Sequence, residues 1–107
     1  MPEEYLFEYE KLKFIWNPEK NEANIKKHGL SFEKAAEVFG DTRAVIQPDI
    51  EHSFGEERFY IIGYIKDFEY LTVFYCERDK NKIIRIISAR KATKKEKNIY
   101  GGNLEWQ

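Results

Sequence analysis

Three arginines stand where an arginine needs a reason. Arg85 interrupts the apolar run Ile83–Ile87, Arg90 follows that run after two small residues, and Arg58 opens a second apolar run that ends at Ile65. A guanidinium in such a strand must reach a cleft, an edge or a partner to keep its charge paired or hydrated. Near them in the chain are His52, of the residue type that titrates near neutral pH, the carboxylates Glu57 and Glu77, and the phenols Tyr60 and Tyr75. Arginines hold phosphates and aromatic rings stack on unpaired bases, so these types together suit an anionic, base-bearing ligand. The charge pattern agrees. From Lys82 to Lys97 there are seven Lys/Arg and one acid, so a net charge of -1 hides +6 in this strip against -7 elsewhere. A concentrated basic strip on an otherwise acidic domain points to a polyanionic partner. Lys91, Lys94 and Lys95 extend it, although charged helix faces are often only solvated.

The elements that position these residues follow from period and punctuation. Residues 1–12 are an acidic, aromatic lead-in with no clear period, and Lys13–Trp16 reads as a short strand. Asn17 and Pro18 start a helix, as N-cap and first-turn proline, and Gly29 stops it. Ser31 caps a second helix, with Phe32, Ala35, Ala36 and Phe39 at helical spacing; Lys34 replaces the glutamate of a full capping box. Strands are expected at 44–47, 58–65, 70–77 and 82–89, with hairpin connections at 66–69 and 78–81. Thr93 and Glu96 form a capping box for a last short helix that Gly101 ends. The order β-α-α-β-β-β-β-α defines an α+β domain: a small antiparallel sheet of about four strands, two N-terminal helices on one face, and a short C-terminal helix.

Composition narrows the function classes. A chain of 107 residues with 42% hydrophobic and 35% charged residues makes one folded domain. Cys76 is the only cysteine and lies in an apolar strand, so it reads as core filler, with no intramolecular disulfide possible. No run approaches the roughly 18 apolar residues of a membrane span, and no secretory leader is seen, so a cytoplasmic location is expected. His28 and His52 sit in no metal-ligand spacing, and there is no phosphate-binding glycine loop or nucleophile elbow, so no metal or cofactor is expected.

Strand parity gives a first picture of two faces. One consistent pairing sets Phe59, Ile61, Phe74, Cys76, Ile84 and Ile86 against the helices. Arg58, Tyr60, Tyr64, Tyr75, Glu77 and Arg85 then share the other face. A bulge near Ser88 would bring Arg90 to that same face.

Four segments carry a family resemblance: Phe-Ile-Trp-Asn-Pro-Glu-Lys from Phe14, Lys-His-Gly-Leu-Ser-Phe-Glu-Lys-Ala from Lys27, His-Ser-Phe-Gly-Glu-Glu-Arg-Phe from His52, and Arg-Ile-Ile-Ser-Ala-Arg-Lys-Ala-Thr from Arg85. In this order and spacing they closely resemble the BrnT family of bacterial type II toxins. The likeness runs from about Phe14 to Tyr100, which separates an N-terminal extension (1–12), a toxin domain (13–100) and a tail (101–107). It implies a fold similar to RelE-like ribonucleases and RNA cleavage that arrests translation and growth. It also implies a BrnA-like ribbon-helix-helix antitoxin, and contact with promoter DNA through that antitoxin. Asn17 and Lys34 depart from the family's usual Asp and Glu, both at helix starts.

The implied reaction assigns roles. A metal-independent ribonuclease must activate the ribose 2′-hydroxyl, stabilise charge at phosphorus and protonate the leaving 5′-oxygen. Arg58, Arg85 and Arg90 suit the charge, Glu77 or Glu57 the base, and His52 the acid; Tyr60, Tyr75, Lys91, Lys94 and Lys95 suit RNA binding. Each has a rival reading. Glu77 would also pair with Arg58 or Arg85, and His28 suits a helix C-terminus. A non-catalytic antitoxin-binding corepressor is the competing function. Direct DNA binding lacks a helix-turn-helix signature.

Overall fold

The structure is a computed structural model that describes residues 4–67 and 69–102. Phe68, in the expected 66–69 connection, and most of the 101–107 tail lie outside the described residues. The strands are β1 (Tyr5–Tyr9), β2 (Leu12–Trp16), β3 (Val45–Pro48), β4 (Arg58–Ile65), β5 (Glu69–Arg78) and β6 (Ile83–Lys91). The α-helices are α1 (Pro18–His28), α2 (Phe32–Ala35) and α3 (Lys94–Tyr100), with 3₁₀ turns at Ala36–Gly40 and Ile50–His52.

The α+β class stands, but the sheet corrects the expected one. It has six strands, not about four, in the order β1-β2-β6-β5-β4-β3. It is also mixed: β2 and β6 run parallel, while every other neighbouring pair is antiparallel. Two strands make the difference: β2, expected as the short strand at Lys13–Trp16, joins the sheet beside β6, and β1 comes from the lead-in. β1 pairs along its whole length with β2 through a tight turn at Glu10 and Lys11, both at positive φ (50° and 71°). That turn normally signals itself by Asn-Gly, and here it does not.

The helices begin as their caps require. Glu19 N–H donates to Asn17 Oδ1 at 2.8 Å, Lys34 N–H to Ser31 Oγ at 3.1 Å, and Gly29 ends α1 at φ 68°. Each such cap stabilises its helix by about 1 kcal/mol. α2 lasts only one turn before the chain tightens into the 3₁₀ turn at Ala36–Gly40.

The core lies between the sheet and α1, α2 and the 3₁₀ turn that follows. Phe14, Trp16, Phe32, Val38, Val73, Leu71 and Ile86 are fully buried there. Aromatic edges tie it together: Trp16 to Phe32 at 5.7 Å, Phe14 to Phe39 at 5.2 Å, and Phe39 to Tyr75 at 5.1 Å. Asn24 is a buried polar bridge from α1. Its Nδ2 donates to the Leu30 carbonyl at 2.9 Å, and its Oδ1 accepts from Ala89 N–H at 3.2 Å.

The observed register corrects one of the three strands in the parity expectation. Arg58 pairs with Cys76 and Phe59 with Tyr75. Phe59, Ile61, Ile84 and Ile86 do face the helices, but β5 is one residue out of step with the expected pairing. A slip of one residue reverses every side chain in a strand. Tyr75 is therefore buried in the core, and Phe74 and Cys76 lie on the far face with Arg58.

β4 allows one close approach. A Cβ on Gly63 would stand 2.8 Å from Val38 Cβ and 3.2 Å from the Val38 carbonyl. The 3₁₀ turn packs onto the strand only because position 63 has no side chain. Gly63→Ala should destabilise the protein by about 1–3 kcal/mol, seen as a lower urea midpoint at unchanged slope. A midpoint equal to wild type would show that the turn yields freely.

Candidate functional site

β6 contains one residue more than its partner strand. Ile86 pairs with Tyr75 and Ser88 with Phe74, so Ile87 is bulged out of the ladder. Five positions separate Arg85 and Arg90, and in a regular strand they would point to opposite faces. The bulge puts both on the face opposite the main core, beside Arg58, Tyr60, Phe74 and Ser88. α3 covers the Thr72–Tyr70 end of that face, where Tyr100 and Tyr70 meet edge to face at 5.3 Å.

The uncovered part contains a cleft of about 260 Å³ lined by Asp49, His52, Arg58, Phe74, Ile87 and Ser88. His52 reaches it from the 3₁₀ turn at Ile50–His52. The turn's three-residue spacing sets Nδ1 3.0 Å from the nearly buried Asp49 carboxylate, and the His52 side chain is 58% exposed. With Nδ1 engaged, Nε2 remains for a ligand. The loop is anchored to β4: Asp49 N–H donates to the Arg58 carbonyl at 2.8 Å, Arg58 N–H to Ser53 Oγ at 2.9 Å, and Ser53 Oγ–H to the Asp49 carbonyl at 2.8 Å. His52 and Arg58 are thus held by one short hydrogen-bonded circuit.

Arg90 is the most firmly oriented cation. Its guanidinium lies 5.2 Å from the centre of the Phe74 ring. NH1 and NH2 donate to Glu96 Oε1 and Oε2 at 2.8 and 3.0 Å, a two-pronged ion pair. Glu96 also completes the α3 capping box, accepting from Thr93 N–H at 2.8 Å, and accepts from Thr72 Oγ1 at 2.7 Å. Burial alone would raise its pKa; Arg90, Thr93 and Thr72 outweigh that and hold it at about 2. Arg90 is correspondingly held further in its charged form, first by the Glu96 hydrogen bonds.

Arg85 donates from Nε and NH2 to Glu4 at 3.1 and 2.6 Å. Arg58 stands 3.8 Å from Glu56, which pairs more closely with Arg78 at 2.9 Å. Cys76 is buried beneath this group, its thiol pKa raised by burial.

The other expected site residues are scattered. Glu57 and Glu77 line a separate acidic depression with Glu56, Phe59 and Asn81. Glu77 pairs across the ladder with core-side Ile84, away from the arginines; among the described residues Arg58 faces Glu56 and Arg85 faces Glu4 instead. Tyr60 is on the cleft's face, its ring 5.7 Å from Phe74, whereas Tyr75 is in the core. Lys91 is exposed at the end of β6, and Lys94 and Lys95 on the first turn of α3. Among the described residues, no three His, Cys, Asp or Glu side chains come together as metal ligands would, and no helix is long and apolar enough to cross a membrane. Asp49, Phe74 and Ser88 were not foreseen; only the Asp-x-x-His spacing after Pro48 could have suggested the first.

An α+β domain that gathers arginines and a carboxylate-oriented histidine on one open sheet face has the means to bind and cleave a phosphodiester. The family model for the ribonuclease toxin BrnT of type II toxin-antitoxin systems matches residues 16–96, and the chain belongs to that family. Among solved structures it is similar to the Brucella abortus ribonuclease toxin BrnT, with 26% identity and a TM-score of 0.58 over 74% of this chain and 94% of that one. No curated protein sequence matches. Membership in a type II system implies an antitoxin partner.

Glu96 makes the arrangement acid-sensitive. Its folded pKa, about 2, lies below the ordinary 4.5, so its contribution is fully present above about pH 5 and is lost as pH falls toward 2. Taken at full weight that shift is about 3 kcal/mol, and solvent screening of the partly buried carboxylate reduces it to on the order of 2 kcal/mol. Glu96→Gln should lower stability at neutral pH and flatten the acid limb of a stability-against-pH curve. An acid limb identical to wild type would remove Glu96 from this role.

Proposed function

We propose that the chain is a metal-independent endoribonuclease that cuts RNA through the ribose 2′-hydroxyl, arresting translation and growth until a ribbon-helix-helix antitoxin neutralises it. The observation that carries this reading is the bulge-assembled cleft, which unites Arg58 and Ser88 with the Asp49–His52 pair and has Arg90 beside it. In this reaction the 2′-oxygen attacks phosphorus and the bond to the 5′-oxygen breaks, leaving a 2′,3′-cyclic phosphate. Arg58 and Arg90 stabilise the added negative charge. His52 Nε2 delivers the proton to the departing 5′-oxygen. Glu57 and Glu77 line a different depression, so water in the open cleft takes the 2′-hydroxyl proton. Arg85, held by Glu4, contributes at the margin, while Tyr60, Lys91, Lys94 and Lys95 supply further RNA contact.

A second reading, a non-catalytic corepressor that only binds antitoxin, draws on one observation: Arg85 and Arg90 are each paired with a carboxylate of the same chain. Induced expression without antitoxin separates the two. Growth should stop and new RNA 5′ ends should appear; normal growth with soluble, folded protein would favour the corepressor.

Arg58→Ala, Arg90→Ala and His52→Gln should each slow RNA cleavage by about 10²–10³-fold, the range for losing one transition-state donor. Arg58→Ala and His52→Gln should leave the melting temperature close to wild type. Arg90→Ala should also lower stability, because Glu96 loses its partner, so Arg90→Lys serves as the folded control. Full activity in both the Arg58 and His52 variants would place the chemistry elsewhere.

A further inference from the structure

A second groove, about 490 Å³, lies between α1 and the far half of β6. It joins the cleft directly, because Ile87 and Ser88 line both. β2 pairs with β6 only as far as Arg85, so beyond that point α1 borders the strand in place of a neighbouring strand. Lys20 and Lys27 mark the two ends of the groove side of α1, about 10 Å apart along the helix axis, with Ala23 and Asn24 between them. Glu19 and Glu22 line a different depression, together with Lys26. Arg90 is the groove's third cation, and His28 also lines it.

We propose that this groove holds the sugar–phosphate backbone of single-stranded RNA continuing out of the cleft, with Lys20 and Lys27 as its phosphate contacts. This rests on reading the cleft as the site of RNA cleavage. The spacing is too long for adjacent phosphates and suits two phosphates with one between them, and the small residues between the lysines let a backbone lie close. A protein segment fits less well. Strand addition would need a free β6 edge, yet Ala89 N–H is already taken by Asn24. Apart from Ile87, the described residues give the groove no large apolar side chain to anchor a peptide.

The test is equilibrium binding of a single-stranded RNA whose 2′-O-methyl groups block cleavage, measured by fluorescence anisotropy across a salt series. The double variant K20Q/K27Q should bind about tenfold more weakly, and its log–log salt slope should be shallower by about 1.4, from roughly 0.7 per phosphate contact on a single strand. K26Q removes one lysine charge outside the groove, half the loss in the double variant, and should change binding less than about twofold on the same grounds, against about threefold for K20Q or K27Q alone. Equal binding by wild type and K20Q/K27Q overturns the proposal, as does loss of antitoxin binding by the double variant with RNA binding intact. The outcomes also separate groove from cleft. If wild type shows the lysine-dependent binding but cuts no unmodified RNA, the groove stands and the cleavage reading fails. If wild type cuts RNA and the lysines prove irrelevant, the reverse holds.

Discussion

One extra residue in β6 decides which side chains can act together. A strand alternates faces strictly, so Arg85 and Arg90 can share a face only if the alternation is broken between them. Ile87 breaks it. Its bulge turns Ser88 and Arg90 toward Arg58, Phe74 and His52, and Ile87 itself lines both the cleft and the groove beside α1. Bulges bend and twist a strand locally. Here the bulge also falls just beyond the short β2–β6 pairing, where the sheet gives way to a helix.

The cations of the open face are oriented by carboxylates from other elements. Glu96 holds Arg90 while capping α3, so one side chain fixes a helix start and a guanidinium together. A guanidinium has five donors, and one bidentate partner leaves others for a ligand. Phe74 beneath it supplies a cation–π surface. Glu4 holds Arg85 by a similar ion pair from just ahead of β1, which lies outside the family match at 16–96. The arginine with the loosest carboxylate contact is Arg58, at 3.8 Å from Glu56. It is also the one that lines the cleft.

Much was legible from the chain alone. Asn17, Gly29, Ser31 and the Thr93–Glu96 box act locally, through bonds spanning two to four residues, and the three helix starts and the end of α1 follow from them, whereas the early end of α2 at Ala35 does not. The β4, β5 and β6 runs, the need of Arg58, Arg85 and Arg90 for partners, and a bulge near Ser88 were also readable, because an arginine amid β-branched residues is costly without a partner. Four ordered motifs sufficed for the family.

Register and long-range contact were not legible. The β4–β5 pairing differs by one residue from an equally regular alternative, and only packing against the helices chooses between them. That choice buries Tyr75, exposes the Phe74 ring to Arg90, and puts Glu77 apart from the arginines. β1 was hidden because its turn uses Glu10 and Lys11 at positive φ, without the residues that usually advertise such a turn. Asp49 and His52 needed the 3₁₀ turn to meet, and Lys20 and Lys27 needed α1 to lie along β6. Local chemistry is written in neighbouring residues; which distant residues share a face is settled by burial of the whole sheet at once.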